Sequence, residues 1–253
     1  MTLIKREIDG AIATITMNRP EKRNAMSDAF IDALEEAFTT LPDAVRVVIL
    51  TGTAGHYCSG LDLTEHKERS AEEGIYHSRN WHRILDQIQL GGRPVVSAMF
   101  GAVIGGGLEI AAATHVRIAE PSTIFQLPEG RRGIFIGGGA SVRVGRILGA
   151  DRMTEMMLTG RKYNADEGLR LGLAHYAVAE GEAMELARTL AGKIARNAPL
   201  SNYFMVQALT RIEDMSKSDG LFTESLCAAL SQTTPDAQEG LHAFLEKRAP
   251  KFR

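Results

Sequence analysis

Between residues 11 and 179, short apolar runs of strand length alternate with longer segments whose apolar residues recur at helical spacing. A chain written in that order buries its backbone by laying mainly parallel strands side by side and packing the intervening helices on them. Residues 3–8 and 11–17 flank Asp9-Gly10, a dipeptide that suits a hairpin turn. Ser27 can cap a helix with Phe30, Ile31, Leu34 and Phe38 on one face. Residues 45–50 (VRVVIL) read as a strand and 52–64 as a loop, and Trp81, Ile84, Leu85 and Ile88 form the stripe of a second helix. Pro94 opens a strand over 95–100, and 116–119 and 175–179 are two more. Asp151 is placed to cap a helix over 153–158 that stops at Gly160, and a helix over 165–171 stops at Gly172.

After Gly181 the pattern changes. Residues 182–196, 200–215, 219–231 and 236–248 all read as helices, with Pro199 and Pro235 as punctuation. A soft boundary near residue 195 separates an α/β core, residues 1–195, from a C-terminal helical region, residues 196–253. The 253 residues, 44% of them hydrophobic, suffice for a sizeable core. A net charge of −2 lacks the basic excess of a nucleic-acid binder, so no nucleic-acid partner is expected. Two cysteines, Cys58 and Cys227, lie far apart, which argues against a disulfide framework and suits a reducing compartment. The opening MTLIKREIDG has no apolar stretch of the secretory kind, and no apolar run approaches the roughly 20 residues of a membrane span. The expectation is a cytoplasmic protein with no membrane partner.

Chemistry concentrates in IGGGLEIAAA, residues 104–113, where Glu109 is the single charge. It suits an acid complementing a helix macrodipole, and equally a catalytic carboxylate beside backbone N–H groups that hold an anion. Other chemistries find less support. There is no G-x-S-x-G nucleophile elbow. His56 and Cys58 are too close in sequence for a nucleophile pair, and His56, Cys58 and His66 miss zinc-ligand spacing, so no metal is expected. GAVIGGG is a degenerate echo of the dinucleotide fingerprint without its acidic partner.

Six blocks carry a more specific signal: NRPEKRNAMS (18–27), HYCSGLDL (56–63), GAVIGGGLEIAAATHVRIAE (101–120), FQLPEGRRGI (125–134), RILGADRMTEMMLTGRKYNADEGLRLGLAHYAV (146–178) and EGLHAFLEKRAPKF (239–252). In order and spacing the chain resembles the crotonase superfamily, the enoyl-CoA hydratase/isomerase family, over nearly its whole length. The resemblance implies an α/β fold of ββα units coiled into a superhelix. It also implies a C-terminal helical trimerisation region, hence a homotrimer or homohexamer.

The resemblance further implies a site. The N–H groups of Leu61 and Gly106 would bind the thioester oxygen as it becomes an enolate. Glu109 would activate water, and Glu129, in the QLPEG block, would protonate Cα. The bland alternative for Glu129 is a loop acid paired with Arg131 or Arg132. Lys22, Arg23, Ser59, Asp62, Leu63 and Lys247 fall where relatives approach CoA, with solvated surface charge as the alternative for the cations. The substrate would be an acyl-CoA thioester, with no cofactor beyond the CoA it carries. Two glutamates favour a hydratase, or the reverse dehydration of a 3-hydroxyacyl-CoA. An isomerase using mainly Glu129 and a non-catalytic acyl-CoA-binding homologue are the alternatives. Leu61, Thr64 and GIFIGGGAS (133–141) depart from the common hydratase pattern, and they bear on the acyl pocket and CoA entrance.

Overall fold

The computed structural model describes residues 2–65 and 68–252. Strands β1 (Ile4–Asp9) and β2 (Ile12–Met17) form the expected antiparallel hairpin, with Gly10 at φ 55° in its turn. Helix α1 (Asp28–Thr39) begins at Ser27, whose hydroxyl accepts the Phe30 N–H. Then come β3 (Val47–Thr51), α2 (Ala71–Leu90) and β4 (Val95–Met99). Past β4 the chain breaks at Gly101 and starts a second short strand, β5 (Ala102–Ile104), before α3 (Gly106–Ala112). The same pattern recurs in β6 (Val116–Ala119), β7 (Ile124–Gln126), a 3-10 turn over Glu129–Arg132, and α4 (Ala140–Leu148). The core continues through α5 (Ala150–Thr159), β8 (Tyr163–Asn164), α6 (Ala165–Leu171) and β9 (Tyr176–Ala177). Helices α7 (Ala183–Ala195), α8 (Pro199–Ile212), α9 (Lys217–Gln232) and α10 (Pro235–Leu245) follow.

The strands sort into two sheets. Six run in the order β1-β2-β3-β4-β6-β9, parallel beyond the first hairpin, and three in the order β5-β7-β8. Parallel bridges Cys58↔Val103 and Met26↔Leu61 carry the second row back to earlier loops. Successive repeats thus give one strand to each sheet and then a helix, which coils the chain as stacked ββα units. Strands β3 and β4 are buried at every residue, as parallel strands covered on both faces must be. Phe30, Leu34, Trp81, Ile84 and Leu85 of α1 and α2 fill the main core with Leu50 and Met99. On the opposite face Ala183, Ala187 and Ala191 let α7 lie close against Val47, Ile49, Val96 and Ala98. No described helix is long and apolar enough to cross a membrane.

Several elements escape the sequence reading. Strands β5 and β7 have three residues each, too few to display an alternation. Helix α4 (ASVRVGRIL) buries Arg143 and holds Gly145, so its polarity disguises an inward face. Asp151 is not a cap. Gly149, at φ 77°, ends α4 and begins α5 by itself, which leaves Asp151 inside the first turn, where its charge still complements the dipole. The strand expected over 175–179 is reduced to Tyr176–Ala177. Gly160 and Gly172 end their helices in the left-handed conformation, as read.

The glycine triplet is where the two sheets and α3 meet. Gly105 sits at φ 55°, left-handed backbone that resists a side chain, and its N–H donates to the Gln126 carbonyl at 2.8 Å. A Cβ on Gly107 would stand 2.2 Å from the Cys58 carbonyl oxygen, which is backbone and has no rotamer by which to yield. Gly107→Ala is therefore expected to destabilise the protein by about 1–3 kcal/mol, as overpacked cores do. A lowered urea midpoint at unchanged slope checks this, and a wild-type midpoint contradicts it.

Candidate active site

A cavity of about 330 Å³ opens beside the start of α3. Gly60 and Leu61 form one wall, Gly105, Gly106 and Glu109 a second, and Glu129 and Ile134–Gly138 a third. Trp81, His77 and Ser78 of α2 close it from above. Four residues singled out from sequence, Leu61, Gly106, Glu109 and Glu129, thus converge from a loop, helix α3 and a 3-10 turn.

Two loops bring the backbone donors together. Asn24 anchors the first: its buried amide donates to the carbonyls of Thr53, His56 and Tyr57 at 3.1, 2.7 and 3.2 Å. The Cys58 N–H and carbonyl then pair with Ala102 and Ile104 of β5 at 2.8 and 3.1 Å. A Cβ on Gly60 would lie 3.3 Å from the Gly106 nitrogen, so the two chains run almost in contact. The neighbouring Asp62 N–H donates to Met26 at 2.9 Å. Among the described residues no acceptor pairs with the N–H of Leu61 or of Gly106. Gly106 is the first residue of α3, where helix N–H groups lack intrahelical partners and the dipole favours negative charge.

The two carboxylates face this corner in different settings. Glu109 is 3% exposed. Its Oε1 accepts the N–H groups of Gly138 and Ala140 at 2.8 and 3.1 Å. Burial pushes its carboxyl above the usual range, while those donors and the Arg143 guanidinium oppose the shift. Glu129, at the head of its 3-10 turn, has a buried Oε2 with no hydrogen-bond partner among the described residues. Burial, and secondarily the charge of Glu109, push its pKa up to about 7. A Cβ on Gly105 would stand 2.9 Å from Glu129 Oε1, and one on Gly106 3.7 Å from Glu109 Oε2, so both acids flank the triplet. Two desolvated carboxylates so placed disfavour each other's ionisation.

The remaining predicted positions lie in the surrounding loops, outside the cavity lining. Buried Asp62 pairs with Arg19 at 2.9 Å and accepts the Thr64 hydroxyl and N–H at 2.7 and 2.9 Å. Those bonds, with Arg19 and Lys22, hold its carboxyl below the usual range against the opposing burial. Lys22 donates to Thr64 at 3.0 Å, and Ser59 to the Lys22 carbonyl at 3.1 Å. Arg23 and Leu63 are exposed, and Arg23 adopts φ 51°. Lys247 is exposed beyond the end of α10, at φ 54°. Arg131 donates to the Thr159 carbonyl at 2.6 Å, away from Glu129. His66 lies outside the described residues. Among the described residues no cluster of three His, Cys, Asp or Glu could hold a metal. Burial raises the Cys58 thiol to about 12, as in an inert core cysteine. From sequence, Asn24 and Trp81 carried no site role, and the 137–140 turn stood only as part of a departure bearing on the acyl pocket and CoA entrance, not as the donor to Glu109. That turn carried a legible signal, a second glycine run opening a helix.

Comparison with known proteins follows this geometry. The family model for enoyl-CoA hydratase/isomerase matches residues 7–253. The chain belongs to that family. The human mitochondrial enoyl-CoA hydratase domain-containing protein 2 is 36% identical over 252 residues, covering 96% of this chain and 86% of its own. The short-chain-enoyl-CoA hydratase of Clostridium acetobutylicum is 31% identical, covering 96% and 94%. Among solved structures, a candidate enoyl-CoA hydratase from Rhodopseudomonas palustris superposes with a TM-score of 0.94 at 46% identity, covering 97% and 95%. The Bacillus anthracis enoyl-CoA hydratase does so with 0.93 at 30%, covering 99% and 98%. The expected crotonase-like α/β superhelix is thereby established.

The raised carboxyls of this family member have a consequence for stability. Glu129 ionises at about 4.5 when unfolded and about 7 when folded. Between those values the unfolded chain has lost a proton that the folded chain keeps. Ionisation then favours unfolding, and stability falls as pH rises through the window. Glu129→Gln removes that penalty. Its urea midpoint relative to wild type, at fixed protein concentration, is expected to rise between pH 4.5 and 7 and to level off above. A constant difference across that range contradicts the assignment.

Proposed function

We propose that the chain is an enoyl-CoA hydratase in which Glu109 and Glu129 divide the two proton movements. The observation that carries the reading is the asymmetry of their partners. Two N–H groups converge on Glu109 Oε1, and the buried Oε2 of Glu129 has none. The negative charge therefore belongs on Glu109 and the proton on Glu129. Glu109 takes a proton from water as its oxygen attacks Cβ. The electron pair of the double bond moves to Cα and the thioester oxygen, and Glu129 gives its proton to Cα. One water is added, and the proton has passed from Glu129 to Glu109. Exchange with solvent resets the pair, and dehydration of a 3-hydroxyacyl-CoA reverses each step.

The thioester oxygen gains charge in this step. The N–H groups of Leu61 and Gly106 donate to it in this reading, and losing one such donor costs about 3–4 kcal/mol of transition-state stabilisation. CoA enters over the loops bearing Lys22, Arg23, Ser59, Asp62 and Leu63, and no further cofactor takes part. Asp62, already paired with Arg19 and Thr64, holds its loop in shape. Lys22, half-buried, is the nearer source of positive charge for a phosphate.

A homotrimer, single or paired, completes the reading. Leu221, Phe222, Leu226 and Leu230 of α9 are 49–65% exposed, and Leu241, Phe244 and Leu245 of α10 are 59–80% exposed. Apolar surface of that extent on neighbouring helices marks an association site.

Each of Glu109→Gln and Glu129→Gln is expected to lower crotonyl-CoA hydration by about 10²–10⁴-fold while the circular dichroism spectrum stays that of the folded wild type. Product mass discriminates: hydration adds one water, and isomerisation leaves the mass unchanged. Loss in Glu129→Gln alone, with no mass gain, moves the reading to an isomerase, and no turnover of any enoyl-CoA moves it to a binding protein. Light scattering at micromolar concentration is expected to give three or six times the 27.5 kDa chain mass, and a monomeric mass contradicts the assembly.

A further inference from the structure

Glu109 does not hold its place alone. The N–H groups that grip it belong to the 137–140 turn, which is rich in glycine and has Gly139 at φ 106°. Such backbone is intrinsically mobile and needs an external tie to present two N–H groups to one oxygen. Arg143, one turn into α4, is 8% exposed and reaches back to supply the tie. Its Nη1 donates to the Gly138 carbonyl at 3.0 Å. A Cβ on Gly139 would collide with the same Nη1 at 2.2 Å, so the guanidinium lies flat against the turn. The other arms are fixed on α2: Nε donates to Gln89 Oε1 at 2.7 Å and Nη2 to Asp86 Oδ1 at 2.5 Å. The Gly138 peptides therefore connect two charges, with the carbonyl bound to Arg143 and the N–H to Glu109.

We infer that Arg143 is a positioning residue that clamps the 137–140 turn to α2 and so holds the Glu109 carboxyl in place at the cavity. The inference rests on the role proposed above for Glu109. A guanidinium suits the task because its planar fork serves three acceptors at once, which an ammonium on a flexible stem does not. Its charge also favours the Glu109 carboxylate. Arg132 lines the same cavity and its charge acts on Glu129. Glu129 faces Glu109 from the 3-10 turn, and Asp86 and His82 of α2 and Arg146 of α4 face Arg143. His77 and Arg69, both bonded to Asp28, line the same cavity.

The test measures kcat and KM for crotonyl-CoA from about pH 5 to 9 in Arg143→Met, Arg143→Lys, Glu109→Gln and the Glu109→Gln/Arg143→Met double variant. Arg143→Met is expected to lower kcat by about 10–100-fold while KM stays within about twofold, the mark of lost alignment. Removing the cation makes Glu109 take its proton at higher pH. The acid limb of its kcat profile therefore moves up by about half a unit or more. In the Glu109→Gln background the same substitution is expected to cost almost nothing further, because its target is gone. An unmoved acid limb, or losses that multiply in the double variant, overturns the inference. Arg143→Lys keeps the charge and gives up the fork. Its acid limb is expected to stay in place while kcat falls, and wild-type kcat there overturns the clamp even if the methionine variant does not fold. Wild-type hydration by Glu109→Gln alone overturns the parent reading, and the clamp with it.

Discussion

Backbone pressed against backbone is the constraint on which this molecule depends. Residues 58–61 run along β5 and the start of α3 at a separation that admits no side chain at Gly107 and almost none at Gly60. The contact aligns two loops from distant parts of the chain beside a cavity that Leu61 and Gly106 both line. Helix α3, one side of that contact, has seven residues, every one buried. The surrounding fold is arranged to make so short an element rigid. Asn24 ties the 53–57 loop from one side, and β7 receives the Gly105 N–H from the other.

Rigidity of this kind permits an electrostatic arrangement that water would otherwise dissolve. Glu109 and Glu129 are both desolvated and both raised, yet they are not equivalent: two N–H groups from the 137–140 turn converge on one oxygen of Glu109, while Oε2 of Glu129 has no partner among the described residues. A pair of like acids in unlike settings can present a base and an acid at the same pH. The difference is made by peptide groups, which do not titrate, so it persists while the carboxyls exchange their proton. In the same way Asp62, Arg19 and Thr64 form a closed ionic knot one residue from Leu61 and shape its loop without lining the cavity.

The alternation of strand and helix, the hairpin, the cap at Ser27 and the four C-terminal helices were legible because each repeats or is punctuated over many residues. The second sheet was not, since its strands have two or three residues and are defined by partners rather than by pattern. Glu109 and Glu129 could be named because their motifs sit in fixed register with glycine and proline. Their unequal environments could not, because the Gly138 and Ala140 donors lie 29 and 31 residues beyond Glu109 and act through backbone, which a side-chain motif does not record. Asp151 shows the converse: a good capping residue was passed over because Gly149 alone joins two helices.

The main sheet ends in β1 on one side and in the two-residue β9 on the other. Strand β1 carries Lys5, Arg6, Glu7 and Asp9 along six residues, of which only Ile4 is buried. Neither edge is a template for another strand, since one is too short and the other meets any newcomer with charge. Extension of the main sheet by a further strand is thereby disfavoured at both edges. In the assembly proposed above, contact therefore falls to the helices, whose curved surfaces can close a finite ring instead of an endless ladder.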